Sequence, residues 1–180
     1  MPSLTAPTTD LHKSWLEFSD EWGRGVHMDG AGLHEMEDEV DSAEGFARWV
    51  ARLCGSSDRT LPAAPGKVHC TYWWITDGDE ILGTIALRHE LNDFLLEAGG
   101  HIGYGVRPSA RRRGLAGWAL REVLAEARTL GLTRVLVTCN VGNEASRRTI
   151  EGAGGIREDE RDTSLGRLYR YWIDLGPQVR

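Results

Sequence analysis

Arg111, Arg112 and Arg113 stand directly ahead of Gly114, Leu115, Ala116 and Gly117, an order of residue types suited to holding a phosphate. Guanidinium groups supply fixed charge in a planar fork that matches phosphate oxygens. Gly114 lets the backbone approach a ligand with no Cβ in the way, and Ala116 is nearly as small. Apolar residues then recur at Ala119, Leu120, Val123, Leu124, Ala127 and Leu130, one face of a helix. Gly131 falls where a helix C-terminal glycine belongs. Before the arginines, His101-Ile102-Gly103-Tyr104-Gly105-Val106 reads as a strand. A strand, a small-residue turn and a helix start together offer an anion unpaired N–H groups and the positive end of the helix dipole.

What the turn lacks narrows the ligand. There is no Gly-Lys-Ser/Thr, so a loop that cradles a nucleotide triphosphate with magnesium does not fit. Pro108 stands where a dinucleotide fingerprint wants its third glycine after Gly103-Tyr104-Gly105. The pattern Arg111-x-x-Gly114-x-Ala116 instead resembles the pyrophosphate-binding signature of the GNAT acyltransferase superfamily, Gln/Arg-x-x-Gly-x-Gly/Ala. Val106-x-Pro108 precedes it, as in that superfamily. Downstream, a β-rich run at Arg134-Val135-Leu136-Val137-Thr138-Cys139 leads to Asn143-x-x-Ser146 and a short helical stretch, similar to the second half of the GNAT cofactor site. Leu87-Arg88-His89-Glu90-Leu91-Asn92, Gly99-Gly100-His101-Ile102-Gly103-Tyr104 and Thr138-Cys139-Asn140 look like a bacterial branch of GNAT acetyltransferases. The resemblance covers residues 67–175.

The resemblance implies acetyl-CoA as co-substrate and a division of labour. The amides of Arg112, Arg113, Gly114, Leu115, Ala116 and Gly117, with Arg111 nearby, would hold its pyrophosphate. Backbone groups of Tyr104, Gly105 and Val106 would pair with the pantetheine arm, one amide facing the thioester oxygen. Asn143 and Ser146 would touch the cofactor's other side, although Asn143 reads equally as a helix N-cap. Many members carry a glutamate base where this chain has His101. A histidine titrates near working pH and can take a proton, or it can simply be bonded into the sheet. His89 and Glu90 are competing bases, or else part of a polar cluster with Arg88 at a strand edge. Many members also carry a tyrosine acid where this chain has Ile150; Ser146, Tyr169, Tyr171 and Cys139 are the substitutes within reach. Cys139 is expected to pack rather than attack, since the superfamily transfers its acyl group directly.

The elements that must position these groups fit one domain over 1–180. At 180 residues and 41% hydrophobic, the chain can bury a sizeable core, and seven tryptophans add area to that core or to a substrate cleft. Leu4-Thr5 reads as a short first strand, and Thr9 or Asp10 as the cap of a helix through Leu11, Trp15, Phe18 and Trp22. Residues 34–39 are acidic, a solvated run or an electrostatic guide for an amine. Asp41-x-x-Glu44 reads as a capping pair before a helix with Phe46, Trp49, Val50 and Leu53. Residues 55–57 and 61–66 form a connector. Strands are expected at 68–76 and 81–87, joined by Asp77-Gly78-Asp79-Glu80. The Gly103–Tyr104 strand, the helix after Gly114 and the Val135–Thr138 strand make a β-α-β unit, and 168–175 a closing antiparallel strand. The sum is an α/β (α+β) fold: a mixed, mostly antiparallel sheet flanked by helices. In the GNAT fold that it matches, two central parallel strands splay apart around the acyl-CoA.

A net charge of −6 argues against nonspecific nucleic-acid binding. Cys54, Cys70 and Cys139 are scattered, so no metal site is expected and reduced thiols are the plain reading. With no apolar run of membrane-spanning length and no secretion signal in the first residues, no membrane partner is expected and the cytoplasm is the expected place of work. A homodimer is the default oligomer. The expected activity is transfer of acetyl from acetyl-CoA to a primary amine of a small molecule, in a ternary complex. The alternatives are a protein or peptide amine as acceptor, or a non-catalytic acyl-CoA sensor. The loops at 22–40 and 162–167 are expected to shape the acceptor pocket.

Overall fold

The computed structural model describes residues 1–34 and 38–176. Of the acidic run, Glu35, Met36 and Glu37 lie outside them. A short strand β1 (Ser3–Thr5) leads through a 3-10 turn (Thr9–Leu11) into helix α1 (His12–Trp22). Thr8, not Thr9 or Asp10, caps this start, its hydroxyl accepting from the Asp10 N–H. Helix α2 (Ala43–Gly55) is capped by Ser42, whose side chain accepts from Gly45 N. Asp41, expected in that role, pairs instead with Arg24.

Strands β2 (Cys70–Asp77) and β3 (Glu80–Arg88) form the expected hairpin, with Gly78 at φ 59 in its turn. A single π-helical turn (Leu95–Gly99) leads into β4 (Ile102–Val106), then the arginine turn, helix α3 (Leu115–Thr129), β5 (Arg134–Asn140) and α4 (Glu144–Gly152). The chain closes with β6 (Ile156–Thr163) and β7 (Gly166–Asp174). Strand β6 has no counterpart in the sequence reading: its run Ile-Arg-Glu-Asp-Glu-Arg-Asp-Thr is charged at nearly every position and hides the period-two signal of a half-buried strand. Residues 162–167, expected as a loop, are the tip of the β6–β7 hairpin.

The strands divide into two antiparallel sheets, β1-β2-β3-β4 and β5-β7-β6. One core lies between both sheets and helices α3 and α4, centred on Ile85, Leu120, Val123, Val135 and Tyr171. The second lies under α1 and α2, where Trp15, Phe18, Phe46, Trp49 and Trp74 pack ring on ring. Strand β3 is buried along nearly all of its length and serves both cores, which explains its near-continuous apolar run. Where the sheets meet, β4 and β5 share no ladder. They are joined beside His101, whose N–H donates to Leu136 O (2.7 Å), and then part.

Candidate active site

The arginine turn is built by strain and a clamp. Pro108 opens a 3-10 turn (Pro108–Ala110), Arg112 takes φ 62 and Gly114 takes φ 76 as the N-cap of α3. Glu21 of α1 holds the turn from behind: its carboxylate accepts from Ser109 N (2.5 Å), Ser109 Oγ (3.0 Å) and Arg107 Nε (2.6 Å). Burial works to raise the Glu21 pKa, but the bonds from Ser109 and Arg107 outweigh it and hold the carboxyl below its ordinary value. Sequence reasoning missed this clamp, because Glu21 and Arg107 are joined only by the fold.

In front of the clamp, Gly114 has no side-chain cap, and the first bond inside α3 runs from Trp118 N to Gly114 O (3.0 Å). The N–H groups of Leu115, Ala116 and Gly117 therefore have no helical partner and point out of the helix end. Arg111 and Arg112 and Arg113 are exposed around them. Arg111 Nε donates to Val106 O (3.0 Å), and its guanidinium lies 5.5 Å from the Trp22 ring centroid.

The outer edge of β4 faces the gap. Arg88 N bonds His101 O (2.7 Å) and Arg107 N bonds Leu82 O (2.9 Å), so the odd-numbered residues of this segment pair with β3. By alternation, the backbone groups of Ile102, Tyr104 and Val106 point toward the gap, while those of Gly105 are turned to β3. Gly103 and Gly105 matter instead for their faces. A Cβ on Gly105 would lie 2.7 Å from the Trp22 ring, and one on Gly103 would lie 3.2 Å from Gly30 N. The 27–32 loop thus presses its backbone onto the sheet, anchored by Thr84 Oγ1 donating to Asp29 O (2.9 Å).

Tyr104 turns its ring to the opposite face. Its hydroxyl meets Ser146 Oγ at 2.9 Å, a contact from β4 to α4 across the gap. Burial pushes the Tyr104 phenol up to about 12 and the Cys139 thiol up to about 11. Asn143 caps α4, its side-chain oxygen accepting from Ser146 N (3.1 Å), so the N-cap reading holds. Ile150 is fully buried in the core, and Tyr171 bonds Glu151.

The structure engages His101 and His89 in structural bonds and leaves Glu90 exposed beyond the end of β3. His101 is buried, and its Nδ1 accepts the Leu136 N–H at 2.8 Å. That bond consumes the free lone pair of the neutral ring, whose proton must then sit on Nε2. Burial, with Arg88 nearby, pushes its pKa down to about 4. His101 is a clasp between the two sheets. His89 leaves the β3–β4 ladder: its N–H bonds His69 O and its Nε2 meets Thr71 Oγ1 at 2.8 Å. Burial and the neighbouring Arg59 lower its pKa. Strand rise places it about 14 Å along β3 from Ile85, the residue opposite Tyr104. Exposed Glu90 lies one residue further on.

On the Gly103 face, a cavity of about 470 Å³ opens between the 27–34 loop, the 61–68 connector and Arg88. Met28, Asp29, Gly30 and Leu33, from the loop expected to shape the acceptor pocket, form one wall of this cavity.

A two-sheet fold that parts beside an uncapped helix start is the arrangement of an acyl-CoA transferase. The family model for the acetyltransferase (GNAT) domain matches residues 34–156, and the chain belongs to that family. Solved structures agree on the fold. The Salmonella typhimurium acetyltransferase that modifies the N-terminal serine of a 50S ribosomal subunit protein is 15% identical, with 96% of this chain and 94% of that one covered and a TM-score of 0.66. RimJ of Mycobacterium smegmatis, solved with a CoA disulfide, is 16% identical over 97% and 86% of the two chains, with a TM-score of 0.66. The microcin C7 self-immunity acetyltransferase MccE, solved with acetyl-CoA and AMP, is 13% identical over 96% and 92%, with a TM-score of 0.69. No curated protein matches the chain by sequence.

Proposed function

We propose that this protein transfers acetyl from acetyl-CoA to a primary amine of a small molecule by direct attack in a ternary complex. The observation that carries the reading is the open edge of β4 beside the unpaired amides of Leu115, Ala116 and Gly117. Pyrophosphate would sit on those amides, with the amides of Arg112, Arg113 and Gly114 at its rim and Arg111 alongside. The pantetheine arm would run along Tyr104 and Val106 as a missing strand, with Gly105 beneath it and Ser146 and Asn143 across the gap. An edge amide donating to the thioester oxygen stabilises the negative charge that develops there. The acceptor ammonium loses a proton, its nitrogen attacks the carbonyl carbon, and the C–S bond breaks. CoA departs as a thiolate that takes up a proton.

The small-molecule acceptor rests on the cavity, whose volume is in the range of ligand sites. The described elements act as one catalytic unit. A cytoplasmic setting is supported by the free thiols of Cys54, Cys70 and Cys139. The test is an amine panel of polyamines, amino acids, aminoglycosides and short peptides, read by release of the CoA thiol. Turnover with small amines supports the reading. Turnover with peptides alone replaces the acceptor class, and acetyl-CoA binding without turnover of any amine replaces catalysis with sensing.

A further inference from the structure

Arg88 is the exception among the sheltered arginines. Of the described residues, five arginines are not exposed: Arg52, Arg88, Arg107, Arg147 and Arg170. Four of them hold carboxylates: Arg52 with Asp38, Arg107 with Glu21 and Glu80, Arg147 with Glu144, and Arg170 with Glu158 and Asp159. Arg88 has no carboxylate within ion-pair distance among the described residues. Its Nη1 donates to Gly99 O (3.0 Å) and Gly100 O (3.2 Å), which leaves the rest of its donor fork unspent in the wall of the cavity. A partly desolvated guanidinium in that state favours an anion, and its planar fork favours a carboxylate.

Asp29 lies beside it without pairing with it. A methyl group on Gly103 would be 3.7 Å from Arg88 Nη1 and 3.7 Å from Asp29 Cβ, so both side chains flank the same point on β4. Asp29 also meets His27 Nε2 at 3.1 Å, and its side chain is largely exposed. A negative and a positive group thus stand next to each other at the strand that would carry the thioester. The rest of the wall mixes apolar side chains, among them Met28, Leu33 and Phe94, with polar ones such as Arg52, Asp58, Lys67 and His69.

We infer that the acceptor is an α-amino acid. Arg88 binds its carboxylate, and Asp29 binds its ammonium and receives the proton. An α-amino acid carries both charged groups on one carbon, which matches two opposite charges that flank one point of β4 without pairing with each other. The inference rests on the acetyl-transfer reading above. In the step, one N–H proton passes to the Asp29 carboxylate and the freed nitrogen pair forms the C–N bond. The C–S bonding pair leaves with sulfur. Asp29 then gives up its proton to solvent or to the thiolate, so the amino acid becomes an N-acetyl amino acid.

The test compares L-leucine, L-leucinamide and isopentylamine as acceptors, which differ only in the carboxyl group. The expected result is a kcat/KM for leucine at least about tenfold above the other two. In Arg88→Met, KM for leucine should rise by about 10- to 100-fold with kcat little changed, and the two analogues that lack a carboxylate should be affected much less. Arg88→Lys should recover part of the loss. Asp29→Asn should lower kcat for all three. Equal use of the three acceptors by the wild type overturns the inference, as does turnover of other amines with none of these. An equal loss on all three in Arg88→Met, together with a lower Tm, would reduce Arg88 to a tether for Gly99 and Gly100. Calorimetry of acetyl-CoA binding and the wider amine panel separate these outcomes from failure of the acetyl-transfer reading, in which either binding is lost or no amine at all is turned over.

Discussion

Around the arginine turn, nearly every group that would hold the cofactor comes from residues 104–117, whereas the proposed acceptor site draws on Asp29 and Arg88, which are far apart in the chain and meet beside Gly103. The first site consists mostly of backbone amides, and a strand, a turn and a helix start suffice to aim them. The second consists of side-chain charges whose meaning depends on what stands opposite. A guanidinium paired with Glu21 braces the turn, as Arg107 does. One with no carboxylate in reach among the described residues, as in Arg88, would be left for a ligand on the proposed reading. On the proposed reading, local chemistry sets the cofactor site and tertiary packing sets the acceptor site.

The strongest way to break this contrast is at the cofactor side. Gly114→Asp puts a negative charge into open space where pyrophosphate would lie. Asp and Asn both tolerate positive φ better than most residues, so Gly114→Asn controls for strain. Acetyl-CoA affinity by calorimetry should fall by about 100-fold or more in the Asp variant, roughly 3 kcal/mol, and much less in the Asn variant. Equal affinities would place the cofactor elsewhere. In the wild type, acetyl-CoA at a hundred times its Kd should add about 2.7 kcal/mol to stability.

On the acceptor side, Gly30→Ala should cost about 2–3 kcal/mol. Its φ is +77, and a Cβ there would run into the Gly103 carbonyl. The acceptor wall should lift while acetyl-CoA affinity stays near wild type, so the two measurements should move apart. A parallel loss of both would mean that the two sides are not independently built.

His101 tests the seam between them. His101→Ala leaves the Leu136 N–H without its acceptor and should cost about 1–3 kcal/mol, while His101→Gln, which can accept that bond, should recover much of it. The folded pKa of about 4 lies below the ordinary 6.5, so between those values the unfolded chain binds more protons and stability rises with pH. Stability from this group is complete above pH 6.5 and is lost as pH falls through 4, a loss on the order of 3 kcal/mol. Urea midpoints across that window should show the decline in wild type and not in His101→Gln. The acidic limb of the pH–rate profile should be the same in both proteins; its disappearance in the variant would restore His101 as the base.

The smallest effect is expected at the contact across the gap. Ser146→Ala removes the partner of the Tyr104 hydroxyl and should cost about 0.5–1.5 kcal/mol of stability. Turnover in Ser146→Ala, Tyr169→Phe and Tyr171→Phe should change by less than about tenfold, or 1.4 kcal/mol of barrier. A thousandfold loss in any one of them, with cofactor affinity intact, would identify a dedicated acid.

The sequence by itself determined the arginine turn, the helix after Gly114, the β2–β3 hairpin and the closing strand, because each is written in local spacing, turn residues or a glycine. It could not place β6, whose charged residues carry no period, nor choose Ser42 over Asp41 as a cap, since both are good capping types one position apart. It named His101 but left base and structural bond equally open. Only the approach of β5, which turns the Leu136 N–H onto Nδ1, favours the structural bond. The same holds for Arg88 and Asp29. Nothing in the 58 positions of intervening chain brings Asp29 and Gly103's neighbour Arg88 together until β3 pairs with β4 and the 27–32 loop settles on two glycines. Periodicity and turn chemistry act over a few residues, whereas the partner of a buried charge is chosen by whichever strand the fold lays beside it.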